Sequence, residues 1–151
     1  MRGLLRSFKF AFRGLVYCVK NERNFRIHIT ISFYVVLLSL FFSLSLTEYA
    51  ILVITLGLVI IAEIMNTAME VLVDIGSGGY NHLARIAKDV VAGMVLICAA
   101  LSVVIGLLIF CKAEGFIRMF QFFTQNPFIL IAFILSLPLA AIFIFNTPKK
   151  I

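Results

Sequence analysis

The chain has 151 residues, 63% of them hydrophobic and only 13% charged, with a mean hydropathy of +1.14. These values exclude a soluble monomer, because long apolar runs with almost no charge belong to helices in a bilayer rather than to one aqueous core. The net charge of +6 directs the polar ends toward anionic lipid or a polyanion such as a nucleotide phosphate. It does not point to nucleic acid, since no basic cluster stands in a polar segment large enough to form a binding module.

The residues predict an all-α integral membrane protein. Residues 1–24 are too charged to span: Arg2, Arg6, Lys9, Arg13, Lys20 and Arg23 interrupt Leu4, Leu5, Phe8, Phe12, Leu15 and Val16. The apolar residues recur at three and four, so this segment reads as a basic amphipathic helix lying in the headgroup plane. Basic residues run throughout and no small-residue cleavage site follows an apolar core, so a signal peptide is not expected.

Four candidate spans follow, at Ile27 to Leu46, Tyr49 to Val73, Val90 to Phe110 and Phe128 to Phe145, each about long enough for a ~30 Å hydrocarbon core. A cytoplasmic N-terminus puts eleven basic residues inside against Lys112 and Arg118 outside, as the positive-inside rule requires. The C-terminus, with Lys149 and Lys150, then also lies inside. The stretch from Phe116 to Phe123 is expected along the outer interface as a short amphipathic segment. Asn126 and Pro127 supply a helix start for the fourth span, which carries no ionisable group and is expected at the periphery, away from the chemistry. Cys18, Cys98 and Cys111 show neither metal spacing nor a CxxC and read as packing residues.

The second span carries the informative residues. After an uncharged run come Glu63, Asn66, Glu70 and Asp74, at spacings of three, four and four, which share one helical stripe about 16 Å long. Such groups cost a few kcal/mol each at membrane depth and are retained where they face protein, water, ion or substrate. Interhelical hydrogen bonding alone is one reading. A site is the other, favoured because a packing contact gains nothing from charges that must be neutralised. Lys88, Asp89 and Glu22 approach the same interface. Hard carboxylate oxygens suit Mg²⁺ bridging to phosphate, and an ammonium suits a transferring phosphoryl group. Taken singly, Glu22 and Lys88 also fit ordinary interface residues, and His28 either sits at the interface or meets a lipid headgroup. The turn-forming loop 76–81 is no Walker A, and neither a zinc motif nor a marked nucleophile is present.

The pattern ExxNxAxExxxD at Glu63, Asn66, Ala68, Glu70 and Asp74, followed by Ala87-Lys88-Asp89, resembles the small bacterial membrane lipid kinases of the diacylglycerol kinase and undecaprenol kinase family. The resemblance covers about Arg6 to Phe110. The run Glu22-Arg23-Asn24-Phe25-Arg26-Ile27-His28 looks like the Gram-positive undecaprenol kinase branch, whereas the diacylglycerol kinase branch usually carries an acidic residue in place of His28.

The resemblance implies a homotrimer of three-span protomers with active sites shared between subunits at the cytoplasmic face of the bacterial cell membrane. It implies Mg²⁺-dependent transfer of the ATP γ-phosphoryl group to a lipid hydroxyl. Glu63 would be the general base, Glu22 and Glu70 the metal and nucleotide ligands, Asn66 a site-organising amide and Asp74 a further supporting residue. Lys88 and Asp89 would contact the nucleotide, with Gly79, Tyr80 and Asn81 near its adenosine end; Gly79 and Asn81 depart from the residues usual there. Asn24, Phe25, Arg26, His28 and Glu63 would meet the lipid. A carboxylate partly withdrawn from water takes a proton more readily than an exposed one, which agrees with the role of Glu63. The expected organisation is therefore a surface helix in 1–24, a lipid-kinase core in 25–111 and an additional connection and helix in 112–151. The acceptor is expected to be undecaprenol, with diacylglycerol as the alternative. A proton or ion pathway is the reading from another class. It needs polar groups continuing to the far leaflet, where Tyr49 to Ala62 offers only Thr55 beside the terminal Tyr49.

Overall fold

A computed structural model describes residues 2–76 and 81–146. They form six helices in chain order: α1 (Arg2–Asn21), α2 (Arg23–Ser39), α3 (Leu46–Gly76), α4 (His82–Phe110), α5 (Ala113–Gln125) and α6 (Pro127–Phe145). Gly79, Tyr80, Lys149 and Lys150 lie outside the described residues. The protein is an all-α membrane protein, and α3, α4 and α6 are each long and apolar enough to cross a bilayer.

The first expected span differs. The sequence predicts it at Ile27 to Leu46, but α2 runs from Arg23 and ends at Ser39 after 17 residues, about 26 Å of helix. The reason is a stop and a start that lie close together. The Ser39 hydroxyl turns back onto the Val36 carbonyl at 2.7 Å, and six residues later Ser45 and Glu48 form a reciprocal cap. The Ser45 hydroxyl accepts the Glu48 amide at 3.2 Å, while the Glu48 carboxylate accepts the Ser45 amide at 2.7 Å. This Ser-x-x-Glu box satisfies two orphan donors and starts α3 at Leu46, three residues before the expected Tyr49.

α3 and α4 pack as an antiparallel pair, closed at one end by Lys88 with Asp74 and at the other by Lys112 with Glu48, each 2.5 Å apart. The first of these is the Glu22 end of the bundle and the second the Ser45 end. At the Ser45 end the buried Phe42 ring stands edge-on to Phe110 and Phe116, with centroids 4.9 and 5.2 Å away. It lies over Gly115, where an added Cβ would run into the Phe42 ring, so no larger residue fits without a shift. Arg118 adds a hydrogen bond to the Ser43 hydroxyl at 2.6 Å. α5 is thereby fixed beneath the turn between α2 and α3, and it is longer than the expected stretch from Phe116 to Phe123.

α6 begins with Pro127 at its first turn and returns antiparallel to α2, so that Tyr34 meets Ser136 and Arg26 meets the last turn of α6. None of the described residues of α6 is buried, as suits a helix whose outer surface faces hydrocarbon. α1 leaves its apolar side chains exposed along most of its length and joins the bundle through buried Cys18, the arrangement expected of an interfacial helix.

Candidate active site

The polar stripe of α3 is ordered by depth. Glu63 is only 2% exposed, Asn66 and Glu70 are half-buried, and Asp74 is exposed at the Glu22 end. Spacings of three and four put all of them on one side of the helix, and each has a partner that the sequence does not announce.

Glu63 is met from α2 by His28, whose Nε2 stands 3.3 Å from Glu63 Oε1; the imidazole side chain is 20% exposed. One turn on, the Thr67 hydroxyl bonds to the Glu63 carbonyl at 3.0 Å. From α1, Cys18 closes the same pocket. Burial pushes its thiol above the usual range against a lowering hydrogen bond with Thr67, and the Glu22 and Glu63 carboxylates push it further up. Side chains of α1, α2 and α3 therefore gather around one buried carboxylate.

Nearer the Glu22 end, the Asn66 amide donates to Glu70 Oε1 at 3.1 Å, fixing the carboxylate about two turns below the buried pair. Lys88 then bridges from α4 to Asp74, and the Glu70 carboxylate also lies within its electrostatic reach. Glu22 occupies the break between α1 and α2, half-buried, with extended backbone at φ −111° and ψ 113°, and its carboxylate does not cap α2.

Other expected site residues point elsewhere. Asp89 is exposed and pairs with Arg85 at 3.9 Å, away from the Lys88–Asp74 contact. Asn81 caps α4, its side-chain oxygen accepting from the Leu83 and Ala84 amides at 2.9 and 3.3 Å, which commits that oxygen to the helix. Phe25 and Arg26 are buried inside the protein, so their side chains pack against neighbouring helices rather than against lipid; Asn24 is exposed. Gly79 and Tyr80 lie outside the described residues.

Sequence reasoning missed Cys18 and Thr67 as walls of the Glu63 pocket. Thr67 was within reach, four residues from Glu63 on the same stripe. Cys18 was not, because its neighbours come from other helices.

Among the described residues no group of three or more His, Cys, Asp or Glu is gathered closely enough to hold a metal ion. A cation that arrives with phosphate needs fewer protein ligands. Mg²⁺ keeps several waters and takes one or two carboxylates with substrate oxygens, and Glu22 and Glu70 are half-buried carboxylates of that kind.

Residues 9–110 match the family model described as prokaryotic diacylglycerol kinase. A diacylglycerol kinase of Synechocystis sp. is 41% identical over 104 residues, 68% of this chain and 59% of the relative. An undecaprenol kinase of Bacillus subtilis is 37% identical over 105 residues, 70% of this chain and 85% of the relative. The chain thus spans about three-fifths of the length of the first relative, and α5 and α6 lie beyond the family match. With its site stripe wholly inside the matched residues, the chain belongs to the prokaryotic diacylglycerol kinase family.

Proposed function

We propose that the chain is an ATP- and Mg²⁺-dependent lipid kinase of the bacterial cell membrane, with the Glu22 end of the bundle facing the cytoplasm. The observation that carries this reading is the continuous polar line from buried Glu63 through Asn66 and Glu70 to the Lys88–Asp74 pair. Such a line joins a lipid hydroxyl held at membrane depth to a nucleotide held at the polar surface.

The lipid hydroxyl gives its proton to Glu63, and its oxygen attacks the γ-phosphorus as the bond to the β-phosphate oxygen breaks and ADP leaves. Glu22 and Glu70 would hold the Mg²⁺, which neutralises phosphate charge when bound. Asn66 keeps the Glu70 carboxylate oriented. Lys88 offers an ammonium to the phosphates, and Asp74 holds it in place until the nucleotide arrives. Asp89 stays with Arg85 and the Asn81 oxygen with the start of α4, so neither is given a part in the transfer. A homotrimer with sites shared between subunits suits the unburied apolar surface of α4.

The acceptor we assign is undecaprenol, on the run from Asn24 to His28, in which an imidazole replaces an acidic group beside Glu63. Diacylglycerol is the alternative. A proton pathway is disfavoured because, beyond Glu63, the Thr55 hydroxyl is turned onto its own helix at Ile51, 2.7 Å away. An assay with purified protein and labelled ATP, offering undecaprenol, diacylglycerol and ceramide in turn, tests the reading. Polyprenyl phosphate is expected as the main product; no phosphorylated lipid from any of the three would overturn it.

A further inference from the structure

α6 lies outside the family match and carries no ionisable group, which is why its sequence suggests a bystander at the periphery. Its contacts say otherwise. Arg26 of α2 is only 3% exposed. Its Nη1 donates to the Phe143 and Asn146 carbonyls, both at 3.0 Å, and its guanidinium carbon lies 6.0 Å from the centre of the Phe143 ring. These carbonyls close the last turn of α6, where unpaired oxygens gather the negative end of the helix dipole. Farther along, the Tyr34 and Ser136 hydroxyls meet at 2.8 Å. α2 and α6 are thus tied at two heights, eight residues or about 12 Å apart.

The Arg26 contact is an expensive one. Among the described residues Nε and Nη2 are buried without a hydrogen-bond partner, and a buried charge left half satisfied costs more than an apolar side chain in the same place. Adhesion alone does not account for it. A guanidinium bridging two carbonyls does fix an orientation, which a greasy contact would not.

What that orientation serves follows from helix geometry. Arg26 and His28 are two residues apart, roughly 200° around α2, so one side of α2 faces α6 and the other faces Glu63. We propose that α6 clamps α2 against α3, and that Arg26 is a positioning residue for the His28–Glu63 contact. The kinetic consequence rests on the lipid-kinase reading; the clamp itself does not.

The test uses the full chain with Arg26→Gln, and with Tyr34→Phe as a second loosening of the same interface should the first fail to fold. The chain has two histidines, and His82 is exposed on α4, so it serves as an internal reference for the imidazole signals of His28 in NMR spectra. Arg26→Gln should move the His28 signals toward their positions in Glu63→Gln while those of His82 stay. In the kinase assay it should lower kcat about tenfold with the KM for ATP nearly unchanged. Added to His28→Phe it should cost less than about twofold more, because both act through one contact. His28 signals that stay in place in both folded variants, or a full multiplicative loss on top of His28→Phe, would overturn the clamp. If the wild-type protein phosphorylates no lipid, the functional reading fails, and the imidazole signals still decide whether α6 positions His28.

Discussion

His28 Nε2 and Glu63 Oε1 stand 3.3 Å apart, on helices whose approach buries the carboxylate but leaves the imidazole partly open. A buried carboxylate needs a partner or a proton, and His28 supplies the first. Glu63→Gln keeps the shape but cannot accept the hydroxyl proton, so phosphoryl transfer should fall by about 10²-fold or more. Nucleotide binding should survive. A variant that binds ATP normally and retains a tenth of the wild-type rate would contradict the base assignment.

His28 also bears on the acceptor. His28→Glu places a second carboxylate beside Glu63 and restores the acidic residue of the other branch. The ratio of undecaprenol to diacylglycerol phosphorylation should fall in this variant, measured with both lipids in the same micelles. An unmoved ratio would separate acceptor choice from this position.

Lys88 and Asp74 form an exposed pair, and exposed pairs contribute little to stability. Lys88→Met should therefore leave the melting temperature nearly unchanged while reducing turnover, since the proposed function uses the ammonium on phosphate. A lower melting temperature with normal turnover would make Lys88 structural. Glu22→Gln and Glu70→Gln should instead raise the Mg²⁺ concentration needed for half-maximal rate, because each removes a negative oxygen from a hard cation. Unchanged Mg²⁺ dependence in both would remove them from the metal site.

The spacing of Glu63, Asn66, Glu70 and Asp74 was legible because a helix converts three and four into one face, and the length and hydropathy of α3, α4 and α6 were legible for the same elementary reason. The partners of the stripe were not. His28 and Cys18 reach Glu63 from other helices, and tertiary proximity leaves no periodic trace in a sequence. The end of α2 was missed because the apolar run continues through Phe41 and Phe42, whose rings pack against α5 and α4 instead of extending the helix. The Ser45–Glu48 box was readable and would have moved the start of α3 to its true place. The resemblance put Arg26 against the lipid; the carbonyls at the end of α6 hold it inside.

At the Ser45 end two substitutions should destabilise without touching the chemistry. Ser45→Ala removes the cap of α3 and should cost about 1 kcal/mol. Gly115→Ala drives a methyl into the Phe42 ring, which Phe110 and Phe116 hold in place, and should cost about 1–3 kcal/mol. Thermal unfolding in detergent measures both, and rates per folded molecule should match wild type. A Gly115→Ala protein as stable as wild type would show that Phe42 moves freely.

The cysteines test the orientation. Cys111 is exposed beside Lys112 at the Ser45 end, whereas Cys18 is buried at the Glu22 end. The thiolate is the reacting form, and burial pushes the Cys18 thiol up, so its labelling should be slow at neutral pH and should rise only as the medium becomes alkaline. The proposed orientation assigns eleven basic residues to the cytoplasm by the positive-inside rule and turns the Ser45 end outward. A membrane-impermeant maleimide added to intact cells at neutral pH should therefore label Cys111 and spare Cys18. Arg85→Cys in a Cys111→Ser background places a thiol at an exposed position of the Glu22 end, and it should react only after the membrane is opened. Labelling of the Arg85→Cys protein in intact cells would invert the topology and put the proposed nucleotide site on the wrong side of the membrane for cytoplasmic ATP.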